Sequence, residues 1–219
     1  MKKKFITSAV FGLLFVALIA MLCTFDVQPI GPEGTEIGFA MLNSTVRGTL
    51  GESDMWYKIS ELFGYLSIAS AGIFVILGAW QMISRKSLLK VDKRLYALAG
   101  LYAVTVFFYA FFEVVVINYR PIIEAGAEHV EASFPSSHTM LTCVIMGSAF
   151  VMIGAYIKNR GLCFALKGLA VAVATVTVVG RLLSGVHWFT DILGGVLISL
   201  ALVTLFAAVC HMIDDKNKI

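Results

Sequence analysis

The sequence predicts an all-α, polytopic membrane protein: six transmembrane helices, both termini cytoplasmic, one domain over residues 1–219. Three observations predict it. Hydrophobic residues make up 59% of the 219 and charged residues 14%, against about 45–50% and about 25% in soluble domains, and mean hydropathy is +0.88. The apolar residues gather into six runs, each near the roughly 20 residues a bilayer-spanning helix needs. With six spans, 13 of the 17 Lys and Arg residues fall on the side of the termini, and only Arg47, Lys58, Arg120 and Arg181 on the other. The positive-inside rule then makes the termini cytoplasmic.

The elements follow in order. A basic start, Lys2-Lys3-Lys4, leads into an apolar run over 5–25. It reads as an uncleaved first span, since a small-x-small cleavage site is missing. Residues 26–56 are polar, with Pro29 and Pro32, and read as an external loop whose segment 38–42 lies along the membrane surface. The second span covers about 62–83, and a basic turn at 85–94 precedes a third at about 95–117, which contains Glu113. A second polar stretch, 118–135, carries Arg120-Pro121. The fourth span runs over about 137–157, the basic turn 158–167 follows, and the fifth and sixth cover about 168–186 and 189–212. The four cysteines, Cys23, Cys143, Cys163 and Cys210, are widely spaced and three lie in spans, so neither a disulfide framework nor a zinc motif is expected. No acidic cluster suggests a metal site, and no cofactor is expected.

The stretch 180–191 stands out. It places Arg181, His187 and Asp191 in a chain that is otherwise mostly hydrocarbon, and ionisable groups in membrane segments mark function by default. His187 and Asp191 are four residues apart, a spacing that brings side chains together on one helix face. A carboxylate beside an imidazole fixes its tautomer and supports the charge it gains when it reacts. The planar fork of Arg181 suits a phosphate. The six-span layout puts Arg120, His138, His187 and Asp191 on one outer surface. Ser136 and Ser137 read as the cap of the fourth helix, whose first-turn amides also favour an anion. His129 reads as solvated in an acidic loop, and His211 lies on the opposite side. Trp188 reads as an interfacial anchor or as a wall of the site.

Three stretches now read together: Arg120-Pro121; Phe134-Pro135-Ser136-Ser137-His138; and Arg181 through His187 to Asp191. The combination resembles the type 2 phosphatidic acid phosphatase family of membrane lipid phosphate phosphatases, whose core is shared with bacterial acid phosphatases and vanadium haloperoxidases. The family pattern is Lys, six residues, Arg-Pro; then Pro-Ser-Gly-His; then Ser-Arg, five residues, His, three residues, Asp. This chain has Gly180 for the leading serine of the third motif, Ser137 for the glycine of the second, and Glu113 for the lysine of the first. The resemblance covers about residues 95–193.

The resemblance implies a metal-independent phosphatase acting on a lipid phosphomonoester or diphosphate: phosphatidic acid, phosphatidylglycerol phosphate or a polyprenyl diphosphate. His187 would attack phosphorus to form a phosphohistidine, with Asp191 orienting it. His138 would protonate the leaving oxygen and then activate water. Arg120, Arg181, Ser136 and Ser137 would hold the phosphoryl oxygens. Its partners would be a lipid phosphate and the bilayer, not nucleic acid, and its place the cell membrane with the site facing the extracytoplasmic side. Glu113, about two helical turns before Arg120, is expected on the same face, orienting an arginine, with Lys58 replacing the lost cation. Glu113 also motivates the alternative of a non-catalytic relative that binds lipid phosphate. A haem-binding electron carrier using His138 and His187 is a third reading, and it leaves Arg181 and Asp191 without a task.

Overall fold

The computed structural model describes residues 2–124 and 126–216. It is helical: α1 (Lys2–Leu22), α2 (Ala40–Leu50), α3 (Asp54–Arg85), α4 (Lys93–Val114), α5 (Ser137–Tyr156), α6 (Arg160–Leu183) and α7 (Phe189–Lys216). All but α2 are long and apolar enough to cross a membrane. Among the described residues β-pairing is limited to two isolated bridges, Gln28 with Ile37 and Tyr119 with Ala132.

The bundle is built around α5, the most buried of the six spans. It packs against α3, α6 and α7, while α1 and α4 lie on α7. Met140, Val144 and Met152 of α5 are fully buried with Ile198 and Phe206 of α7. Membrane helices gain little from hydrophobic exclusion among themselves, so close approach through small residues carries the packing. Gly194 and Gly195 provide it at the top of α7. A side chain at Gly194 would meet the Phe134 ring at 2.3 Å, and one at Gly195 would meet the Ser136 carbonyl and Thr139 at 3.0 Å. The chain entering α5 is thereby laid directly on the start of α7. Phe134 stacks on Phe15 of α1 and meets Phe112 of α4 edge-on, with centroids 5.8 and 6.0 Å apart.

Several boundaries differ from the sequence expectation. The helix expected at 62 starts at Asp54, because Ser53 caps it by accepting the Trp56 N–H at 3.4 Å. Its extra turns carry Tyr57, Lys58 and Glu61 above the apolar run. The helix expected at 168 starts at Arg160, where Asn159 accepts the Leu162 N–H at 3.0 Å. The expected loop 26–56 contains α2. Asn43 pins α2 to the start of α7: its amide donates to Thr190 Oγ1 at 3.0 Å and accepts the Thr190 N–H at 3.2 Å. α4 ends at Val114, so Glu113 sits in its last turn and Arg120 lies beyond it in a loop. The expected shared helix face does not exist.

At the end of the bundle holding the 85–94 turn, a polar cluster ties four helices together. Asp92 caps α4 by accepting the Arg94 N–H at 2.9 Å. It accepts the Tyr156 hydroxyl of α5 at 2.7 Å and pairs with the Arg94 guanidinium at 3.2 Å. Arg94 also pairs with Asp214 of α7, and the Asp92 N–H donates to Gln81 of α3 at 3.0 Å.

Candidate active site

The opposite end of the bundle collects the residues singled out by the sequence. Arg181 is in the last turn of α6, and Gly185, at φ +72°, turns the chain back toward α7. That backbone conformation is open to glycine and strained for other residues. Arg47 of α2 holds the turn by donating to the Gly185 carbonyl at 2.9 Å. His187 lies in the connection between the helices and Asp191 in the first turn of α7. They do not share a helix, as the four-residue spacing suggested, but they do meet: Nδ1 of His187 is 3.8 Å from Oδ2 of Asp191.

Asp191 is completely buried. Oδ2 accepts the Trp188 N–H at 2.9 Å, the back-reach of a capping box. Oδ1 accepts the Asn118 amide at 3.3 Å, and the Asp191 carbonyl accepts the Ser136 N–H at 3.0 Å. One residue thus joins the stretch before α5 to the stretch before α7. Trp188 is no surface anchor. It is buried and donates through its indole N–H to the Tyr119 carbonyl at 2.8 Å, which fixes the residue next to Arg120.

His187 is only 5% exposed, and among the described residues neither ring nitrogen has a hydrogen-bond partner. Burial, then the Arg120 and Arg181 charges, hold its pKa well below the usual imidazole value, so it is neutral at pH 7. A pocket lined by His187, Arg120, Ser133, Pro135, Ser137 and Glu113 opens beside it. Arg120 pairs with Glu124 at 2.6 Å and lies 3.4 Å from Glu131. Ser136 is buried and caps α5, facing the Thr139 N–H at 3.5 Å. Arg181 is 1% exposed, and its guanidinium lies 5.2 Å over the Tyr57 ring.

Glu113 lines the pocket from α4 but is exposed, and among the described residues it pairs with neither arginine. The expectation that it aims a guanidinium finds no contact to rest on. Lys58 does not replace the lost lysine: it is exposed and pairs with Asp54 at 2.7 Å. His129 contacts Glu33 at 3.1 Å and His211 contacts Asp215 at 3.1 Å, both outside the site.

Sequence reasoning missed Glu61. Its Oε1 lies 2.8 Å from Nε2 of His138 and accepts from Nη1 of Arg181 at 3.4 Å. Starting the second span at residue 62 left it between the expected loop, 26–56, and the expected helix, in no element. The available signal was an acid seven residues after a Ser-Asp helix start, about two turns along the same helix. Asn118 and Ser133 were missed as well. His138 also borders a cavity of about 170 Å³ between α3, α4 and α5, walled by Tyr65, Ile68, Tyr109 and Ile145. Chemically, the arrangement offers a neutral buried imidazole, two guanidiniums and a helix N-terminus to a tetrahedral oxyanion.

The PAP2 superfamily model matches residues 95–214. The crystal structure of the first transmembrane PAP2-type phosphatidylglycerolphosphate phosphatase from Bacillus subtilis is similar, with a TM-score of 0.69 at 16% identity over 94% of this chain and 96% of that one. Aquifex aeolicus LpxE has a TM-score of 0.46 at 21% identity, over 77% and 95% of the two chains. No curated protein sequence matches. At these identities the Bacillus structure speaks to the fold, and it spans nearly the whole chain.

Proposed function

The chain belongs to the PAP2 superfamily, and from that premise we propose that it is a membrane phosphatase that hydrolyses a lipid phosphomonoester or diphosphate through a phosphohistidine on His187. The observation that carries this reading is His187 itself: buried, neutral, without a hydrogen-bond partner on either nitrogen among the described residues, and near two arginines. Leaving buried polar atoms unpaired costs about 1–3 kcal/mol each. A protein retains such groups where a ligand or a reaction uses them.

The reaction proceeds in two displacements. Nε2 of His187 attacks phosphorus, a P–N bond forms, and the P–O bond to the lipid breaks. His138 gives its proton to the leaving oxygen. Water then attacks phosphorus, His138 takes the proton, the P–N bond breaks, and inorganic phosphate leaves. Asp191, held by Trp188 and Asn118, stabilises the positive charge that develops on His187. Arg120, Arg181, Ser137 and the amides at the start of α5 receive the phosphoryl oxygens. Phosphoryl transfer asks the protein mostly for positioning and charge stabilisation, and these groups supply both without a metal. The apolar cavity beside His138 suits the first part of an acyl or prenyl chain. Charge placement supports a site on the extracytoplasmic side of the cell membrane. Phosphatidic acid, phosphatidylglycerol phosphate and polyprenyl diphosphate are the substrate classes to test. Glu113 in the pocket favours a second reading, a relative that binds lipid phosphate without cleaving it.

The test is phosphate release from the three lipids by detergent-purified protein in chelator, beside His187→Ala. Catalysis by wild type, with at least ~10⁴-fold loss in the variant, is expected. Phosphate binding without release by a folded wild type would favour the second reading.

A further inference from the structure

Glu61 brings a carboxylate to two groups that the proposed reaction uses, Arg181 for the phosphoryl oxygens and His138 for the proton of the leaving oxygen. The same oxygen, Oε1, lies 2.8 Å from the His138 imidazole and 3.4 Å from the Arg181 guanidinium. No other ion pair engages Arg181 among the described residues, and its side chain is 1% exposed. A guanidinium taken out of water needs an anion nearby, and here that anion is Glu61.

Glu61 and a bound phosphate cannot both keep this position, since like charges at contact distance repel. The two carboxylates of the site differ in how firmly they are held. Asp191 is completely buried, with both oxygens bound by Trp188 and Asn118. The Glu61 side chain is 23% exposed, and its second oxygen is 3.4 Å from the hydroxyl of Tyr65, itself an exposed residue. Glu61 can rotate outward along the face of α3 while the helix stays in place. Nothing comparable frees Asp191.

Resting on the phosphate-site reading, we infer that Glu61 is the site's resident anion: it occupies the phosphoryl position at Arg181 and His138, and substrate enters by displacing it. Binding is therefore an exchange of one anion for another. A doubly charged terminal phosphate gains more from the arginines than the single charge it expels. A singly charged phosphodiester gains about as much as it displaces and stays out. Glu61 sets a charge threshold, which makes it a specificity-determining residue. It lies on α3, outside the segment 95–214 that the family model matches.

The experiment compares wild type, Glu61→Gln and Glu61→Asp as purified proteins. Calorimetry with inorganic phosphate measures affinity, diethyl phosphate serves as the singly charged competitor, and lipid hydrolysis gives kcat and KM. Glu61→Gln should bind phosphate about tenfold more tightly, within the usual range of site couplings, lower KM, and become sensitive to diethyl phosphate. Glu61→Asp, one methylene too short to keep both contacts, should fall between the two and covers the case in which the glutamine variant does not fold. A supporting role in the helix bundle would not tighten phosphate binding in either variant. Equal or weaker binding in the folded variants overturns the inference and leaves the phosphatase reading standing. A wild type that neither binds nor releases phosphate overturns both.

Discussion

Each end of the helix bundle has an arginine set among carboxylates, and the two ends treat it differently. Around Arg94 the groups satisfy one another almost completely. Asp92 accepts from Arg94 and from the Tyr156 hydroxyl, its own N–H goes to Gln81, and Asp214 closes the far side. Around Arg181 and His187 the groups stay open. Seven buried side-chain polar atoms lack a hydrogen-bond partner among the described residues, and six of them belong to Arg120, Ser133, Thr139, Arg181 and His187, against a single one on Arg94. Buried polar atoms in native proteins are overwhelmingly paired. A cluster that closes on itself holds helices together, and a cluster with open valences is shaped for something that arrives later.

Between the two ends, the largest expected difference comes from exchanging their arginines. Arg181→Lys keeps a positive charge and loses the planar fork. It should lower kcat/KM about 100-fold, in the range of losing one transition-state donor, while the melting temperature changes little. The same exchange at Arg94 should leave kcat/KM within about threefold of wild type, since nothing there touches substrate. Steady-state kinetics on both variants decides it. Equal losses at the two ends would erase the distinction.

A smaller effect concerns pH. His187 is held well below the usual imidazole pKa of about 6.5 by burial and by Arg120 and Arg181. A nucleophilic imidazole works unprotonated, so the acid limb of kcat/KM should lie below about pH 6.5 once the substrate's own ionisation is divided out. Stability follows the same sign. The folded state resists a proton that the unfolded chain accepts, so this contribution is intact above about pH 6.5 and is lost as pH falls below it. An acid limb at or above pH 6.5 would remove the imidazole from its assigned role.

The two ends were not equally legible in the sequence. The six spans were readable because composition, run length and basic turns all point the same way. That His138, Arg181, His187 and Asp191 would gather at one end was readable because they sit at two helix starts and one helix end, and Arg120 joined them because its loop follows the third span on the same side. Glu61 was not, since nothing in a single sequence says which of the four other spans will lie beside α5 and α6. The pairing is set by packing over a separation of 120 residues from Arg181. Glu113 erred in the opposite direction. Counting seven residues as two helical turns assumed a helix that ends at Val114. The Arg94 cluster was invisible for the same reason as Glu61: Asp92, Tyr156 and Asp214 come from three elements, and only the fold brings them together.

The smallest effect sharpens the comparison from the structural side. Tyr156→Phe removes one hydroxyl from the Arg94 cluster and keeps the ring. The lost hydrogen bond goes to an ionised acceptor, Asp92 Oδ2 at 2.7 Å, and such bonds contribute about 1.5–3 kcal/mol, less where water can take the hydroxyl's place. The site is half-exposed, so a loss of about 1 kcal/mol is expected, which lowers the melting temperature by about 2–4 °C for a chain of this size. Asp92 keeps the Arg94 guanidinium and the α4 cap, so the cluster stays closed and kcat/KM should not move. Thermal denaturation in detergent and a rate assay on the same preparation read the two quantities together. A fall in rate without a fall in melting temperature would mean that this end of the bundle is coupled to the other, and that closure here serves the reaction as well as the fold.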